Sequence, residues 1–191
     1  MNQFLKSLIL TNITLVPLWL LFRFFTNSNN RKNGKHVSNR RELLLLLFVV
    51  YVASVASITI VPLPEFERDH FSSPHINLIP LGTTIKGIAN TFTDNQPMVV
   101  LINVATNFFG NLIMFMPLGF MLPLLNEKYI NQKKIFKTAA LCSLSIETIQ
   151  LLSMSFGIYR YVDIDDIILN TAGAVVGYGI YRSVLKPAYA S

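Results

Sequence analysis

The sequence predicts an all-α, multi-pass transmembrane helical bundle with about five spans. Two observations carry this reading. The 191 residues are 52% hydrophobic and only 14% charged, where an average soluble domain is about a quarter charged. The apolar residues are also gathered into long uncharged runs separated by charged connectors. About 20 apolar helical residues cross roughly 30 Å of hydrocarbon, so runs of this length read as membrane spans.

In chain order, the first run covers residues 4–25 and is interrupted only by Lys6 and Arg23 near its ends. Long basic side chains at such positions reach up to the headgroups. A cleaved signal peptide is the alternative, but the stretch is long and no small-x-small site precedes the polar segment 27–30. The second run, 43–61, contains 19 residues without a charge, and the third, 96–125, is uncharged throughout. The fourth, 138–156, holds Glu147. The fifth, 164–185, begins with Asp165 and Asp166 and ends near Arg182. Its uncharged part, 167–181, is only 15 residues long, too short to cross alone, which puts the flanking acids at headgroup depth.

Lys and Arg fix the expected orientation, because cytoplasmic loops retain positive charge during insertion. The first connector carries Arg31, Lys32, Lys35, Arg40 and Arg41, and the third carries Lys128, Lys133, Lys134 and Lys137. The second has only Arg68 and Lys86 against Glu65, Glu67, Asp69 and Asp94, and the fourth has Arg160 alone. With Arg182 and Lys186 after the last span, alternation places the N-terminus outside and the C-terminus in the cytoplasm. Residues 1–41 then form a first span and a basic cytoplasmic loop, 42–185 the main transmembrane domain, and 186–191 a short cytoplasmic tail. The net charge of +6 is an insertion signal and an attraction to anionic inner-leaflet lipid; nucleic acid is excluded as a partner.

The lone Cys142 falls inside the fourth run, reads as small packing filler, and rules out a disulfide framework. His70 and His75 read as solvated loop residues rather than a zinc site. Gly173, Ala174, Gly177 and Gly179 are expected to let the last helix approach a neighbour closely. Pro117 and Pro123, near Gly119, mark a tolerated kink in the third. The short apolar segment Asn77-Leu-Ile-Pro-Leu81 is expected to lie in the interface or dip back into the bundle.

Polar groups inside spans cost roughly 2.5 to 3.5 kcal/mol each when ionisable, so those present face a cavity or a partner. Here they are gathered at one depth. Glu147 and Gln150 share a face of the fourth helix, in its outer half. Asn103, Asn107 and Gly110, with Asn111 beside them, stand at the outer end of the third. Asp163, Asp166 and Asn170 follow three-and-four spacing at the outer entry to the fifth, with Asp165 on a different side. Bland readings compete. Asp163 or Asp165 can cap the helix, Glu147 can latch to Arg160, and the amides Asn107, Asn111, Gln150 and Asn170 can be interhelical glue.

Four segments resemble the VanZ-like membrane proteins, a family named for a glycopeptide (teicoplanin) resistance determinant. They are Asn77-Leu-Ile-Pro-Leu81, Asn107-Phe-Phe-Gly-Asn-Leu-Ile-Met-Phe-Met-Pro-Leu-Gly-Phe120, Ser145-Ile-Glu-Thr-Ile-Gln150, and Arg160-Tyr-Val-Asp-Ile-Asp-Asp-Ile-Ile-Leu-Asn-Thr-Ala-Gly173. The likeness covers roughly residues 43–181 and is most specific over the Asp-Ile-Asp-Asp run. Tyr159 and Glu147-Thr-Ile-Gln150 depart from the family's common Gly before the Arg and its Glu-Leu-x-Gln.

The resemblance implies a bacterial envelope protein of the cell membrane with no firmly established reaction, and distant similarity groups such proteins with enzymes acting on lipid headgroups. The expected site is then catalytic through Glu147, Asp163, Asp166 and Arg160, with Asn107, Asn111, Gln150 and Asn170 binding the substrate. Glu147 would serve as general acid or base, Asp163 and Asp166 would activate a nucleophile or hold a divalent cation such as Mg2+, and Arg160 would grip a phosphate. The expected partners are membrane lipids, including lipid-linked envelope intermediates. A non-enzymatic accessory role, altering envelope assembly or antibiotic access, is the competing expectation, and five spans without an inverted repeat disfavour a transporter.

Overall fold

The computed structural model describes residues 3–33, 37–61, 75–92, 97–156 and 161–185. Arg160 and Tyr159 lie outside them, as do Lys35, Glu65, Glu67, Arg68, Asp69, His70, Asp94 and Lys186. The chain is all-α in character and divides into two compact units, Met1–Phe66 and Glu67–Ser191.

The first unit is a helical hairpin of α1 (Gln3–Lys32) and α2 (Asn39–Thr59). Polar pairs run along it like rungs. Ser7 meets Ser57 at 3.0 Å, the Asn12 amide donates to Ser54 at 3.2 Å, and Arg23 forms an ion pair with Glu42 that Asn27 joins at 2.9 Å. The partner number falls as the α1 number rises, so the helices are antiparallel. Between the charged ends the outer surface is largely apolar, with Leu10, Leu18, Phe22, Leu47 and Val52 exposed, as a helix pair meant for lipid requires.

The second unit contains β1 (His75–Asn77), α3 (Gly82–Thr91), α4 (Pro97–Leu125), α5 (Gln132–Ser153), β2 (Tyr161–Asp163) and α6 (Ile164–Val184). Short 3-10 turns at Glu127–Tyr129 and Met154–Phe156 flank α5 on either side. β1 and β2 form a two-stranded parallel ladder that pairs His75 with Tyr161, Ile76 with Val162 and Asn77 with Asp163. α6 packs along both α4 and α5.

Backbone contact sets the α4–α6 geometry. A Cβ added at Gly173 would lie 2.0 Å from the Leu112 carbonyl oxygen, and one at Gly177 would lie 2.0 Å from that of Met116. One at Gly119 would lie 1.8 Å from the Ala174 carbonyl. The α6 glycines advance together with their α4 partners, Gly173 on Leu112 and Gly177 on Met116, so α4 and α6 run parallel, as two spans separated by one returning helix must. Small residues permit this approach because helices in lipid associate through close packing rather than hydrophobic exclusion. Around the seam, Phe115, Leu118, Leu122, Leu169, Tyr178 and Tyr181 are buried. Two sequence expectations fail here. Gly179 faces open space and Cys142 is exposed, so neither serves packing within the chain. Each sits on the outward side of its helix, where composition alone does not reveal which face is covered.

Among the described residues, four helices are long and apolar enough to cross a membrane: Leu5–Lys32, Asn39–Thr59, Pro97–Leu125 and Gln132–Phe156. α6 matches α2 in length at 21 residues and carries as many charged side chains, but Asn170, Thr171 and three glycines along it keep it out of that group. Its buried face explains the difference, because a helix wrapped by protein need not be greasy all round. Pro117 and Pro123 are carried inside one continuous α4.

Candidate functional site

The outer-entry acids of α6 each hold a different element. Asp163 ends β2 and caps α6, its carboxylate accepting the Asp165 N–H at 2.9 Å. The same oxygen accepts from the Asn77 amide at 2.8 Å, tying β1 to β2 through side chains as well as backbone. Asp165 is fully buried and points elsewhere: it accepts the Leu81 N–H and, at 3.3 Å, the Thr84 hydroxyl. Leu81 needs that support, because its φ of 59° is a left-handed conformation unfavourable to a branched side chain. Capping thus falls to Asp163, while Asp165 anchors the turn into α3.

Asp166 faces α4. One of its oxygens accepts from the Asn111 amide, which also donates to Asn107 at 3.0 Å one helical turn away. From α5, the buried Glu147 accepts the Asp163 backbone N–H at 3.2 Å. One turn earlier on α5, Ser143 accepts from the Asn170 amide at 2.9 Å, both residues being buried. Gln150 is half-buried on α5, one turn beyond Glu147.

Asn111 thus joins α4 to α6, and Glu147 and Ser143 join α5 to Asp163 and Asn170. Access is graded: Asn107 is exposed, Asn111, Asp166 and Gln150 are half-buried, and Glu147, Asp163, Asn170 and Ser143 are closed in. Gly110 adds open space at the mouth. The carboxylates of Glu147, Asp163 and Asp166 lie within range of one another's charge. Among the described residues neither Glu147 nor Asp166 meets a Lys or Arg. Such a cluster favours a cationic or strongly hydrogen-bonding visitor. Deeper in, the buried Asn170 Oδ1 and Thr171 Oγ1 have no hydrogen-bond partner among the described residues. Unmet polar atoms of this kind are costly unless a water or ligand reaches them.

Among the described residues no group of three His, Cys, Asp or Glu is arranged to hold a metal ion, and Asp163 and Asp165 already accept several donors. Arg160 lies outside the described residues, so neither its latch to Glu147 nor its phosphate role has a geometry. Ser143, Thr84 and the Leu81 N–H enter the network unforeseen. Only Ser143 left a trace in the sequence, standing four residues before Glu147 on the same helical face.

Fold and site together define a multi-pass α-helical membrane protein with a carboxylate and amide cluster at one end of its main helical unit. Residues 48–186 match the VanZ/LLP1 family, and the chain belongs to that family. No curated protein and no solved structure matches it.

Proposed function

We propose that the cluster receives the headgroup of an outer-leaflet lipid or lipid-linked cell-wall intermediate, and that this underlies a link to glycopeptide resistance. The observation that carries the reading is the gradient from exposed Asn107 to buried Glu147 across three helices. A bundle held together by polar glue alone has no need of a mouth. The basic connectors 31–41 and 128–137 support an orientation that opens this mouth outward.

In this reading Asn107, Asn111, Gln150 and Asn170 orient the headgroup through hydrogen bonds. Glu147, out of water and next to the reacting group, exchanges a proton as general acid or base. Asp166, at the mouth, activates the nucleophile. Asp163 positions Glu147 through its backbone N–H. A phosphate entering beside three carboxylates needs a balancing cation, and Arg160, which directly precedes β2 in sequence, is the candidate.

One observation favours the accessory alternative. Each acid of the Asp163-Ile-Asp165-Asp166 run already bonds a different structural element, which suits a scaffold with no chemistry. Mass spectrometry of lipid-linked envelope intermediates separates the two. Cells with the protein are expected to differ from cells without it in at least one headgroup species, and E147Q is expected not to restore the difference. Identical lipid profiles alongside altered glycopeptide tolerance would favour the scaffold.

A further inference from the structure

α3 is a short helix with three distinct faces. At about 100° per residue, Thr84, Gly87 and Thr91 fall within an arc of about 60°. This arc meets protein: a Cβ at Gly87 would stand 2.4 Å from a Val104 methyl of α4, and Thr84 bonds Asp165 of α6. The next arc, about 100° wide, holds Ile88, Phe92, Ile85 and Ala89. These are exposed, Phe92 at 84% and Ile85 at 60%. The remaining arc holds Lys86 and Asn90, also exposed. Leu78 at 71% and Ile79 at 64% extend the apolar surface into the turn before the helix.

The depth of α3 follows from α4. Its 29 residues rise about 44 Å, some 14 Å more than the hydrocarbon needs. Val104, against which α3 packs, lies seven residues inside the start of α4 at Pro97, or about 10 Å. This is close to where a centred span enters the hydrocarbon. A helix at that level with one face on protein, one apolar and one carrying Lys86 matches the three media that meet there.

We propose that residues 76–92 lie in the bilayer interface as an amphipathic plate, with Leu78, Ile79, Ile85, Ile88 and Phe92 seated among lipid beside the mouth of the carboxylate cluster. Asp165 and Asn77 clamp the plate to α6 and β2, so lipid at the plate is adjacent to the site. The occupant is lipid, because the flanking α4 surface at Met98, Val99, Leu101 and Ile102 is also apolar and exposed on a membrane-crossing helix. The inference rests on membrane residence and not on the proposed headgroup chemistry, so a catalytically silent cluster would leave it standing.

The test uses full-length protein carrying C142S, with single cysteines at positions 85, 86, 88 and 92 labelled by an environment-sensitive fluorophore. The protein is placed in vesicles of phosphatidylethanolamine and phosphatidylglycerol. Labels at 85, 88 and 92 are expected to be quenched by headgroup-proximal spin-labelled lipid roughly threefold more than by aqueous iodide, with the order reversed at 86. Equal iodide quenching at all four positions would overturn the proposal. So would strongest quenching by spin labels at the acyl-chain ends, which means re-entry into the bundle, or shielding from both quenchers that grows with protein density, which means a second copy.

Discussion

Gly177→Leu is expected to remove most of the folded protein from a detergent extract, lowering stability by about 3 kcal/mol or more. The added side chain would begin 2.0 Å from the Met116 carbonyl oxygen. That oxygen is backbone and cannot rotate away, so the helices must part. Parting them also loosens Gly173 on Leu112 and Gly119 on Ala174, since the three contacts share one seam. In lipid no hydrophobic force pulls the helices back, and lost packing is lost stability. Gly179→Leu makes the control, because its site is open space. Unfolding midpoints of the two purified variants, followed by circular dichroism against temperature, are expected to differ clearly, with Gly179→Leu near the wild type. Equal midpoints would mean that the seam does not hold the unit together.

The largest functional effect is expected from E147Q and D166N, each reducing lipid-dependent activity by about 100-fold or more. Both changes keep shape and hydrogen bonding. A glutamine oxygen can still accept the Asp163 N–H, and an asparagine oxygen at 166 can still accept from Asn111. What disappears is charge and the capacity to exchange a proton at working pH. Folded yield is therefore expected to hold while function falls, and the double variant is expected to be little worse than the poorer single one, as for groups acting in one step. Glycopeptide tolerance measured beside the amount of inserted protein reads this directly. Function falling only in proportion to folded protein would support the scaffold.

Most of the helical framework was legible in the sequence because hydrocarbon imposes a length and a composition. The runs at 43–61 and 96–125 coincide closely with α2 (Asn39–Thr59) and α4 (Pro97–Leu125). Helix ends were less legible. α1 continues to Lys32 and α5 starts at Gln132, because polar residues extend a helix into water without registering as apolar. The Gly173 and Gly177 seam was readable from its spacing, but its partners Leu112, Met116 and Ala174 were not, since any α4 residue offers a carbonyl.

Asp163 and Asp166 were legible as a pair through helical spacing, and Glu147, on a different helix, was set beside them by the depth that charge and span length assign. The β1–β2 ladder was not, because three-residue strands show no periodicity and the pairing joins segments far apart in the chain. Missing that ladder hid the roles of Asn77, Leu81 and Thr84, and hence the reason Asp165 is buried. α3 is hard to read for a related reason: ten residues facing three media look like a mixed-polarity loop until the neighbour that defines each face is known.

The proposed outward opening of the cluster is tested most directly by labelling from one side of the membrane in intact cells. In a C142S background, Asn107→Cys is expected to react with a membrane-impermeant maleimide added outside, while Lys133→Cys reacts only after permeabilisation. If position 107 required permeabilisation and position 133 did not, the cluster would open to the cytoplasm, and an outer-leaflet headgroup could not be what it receives.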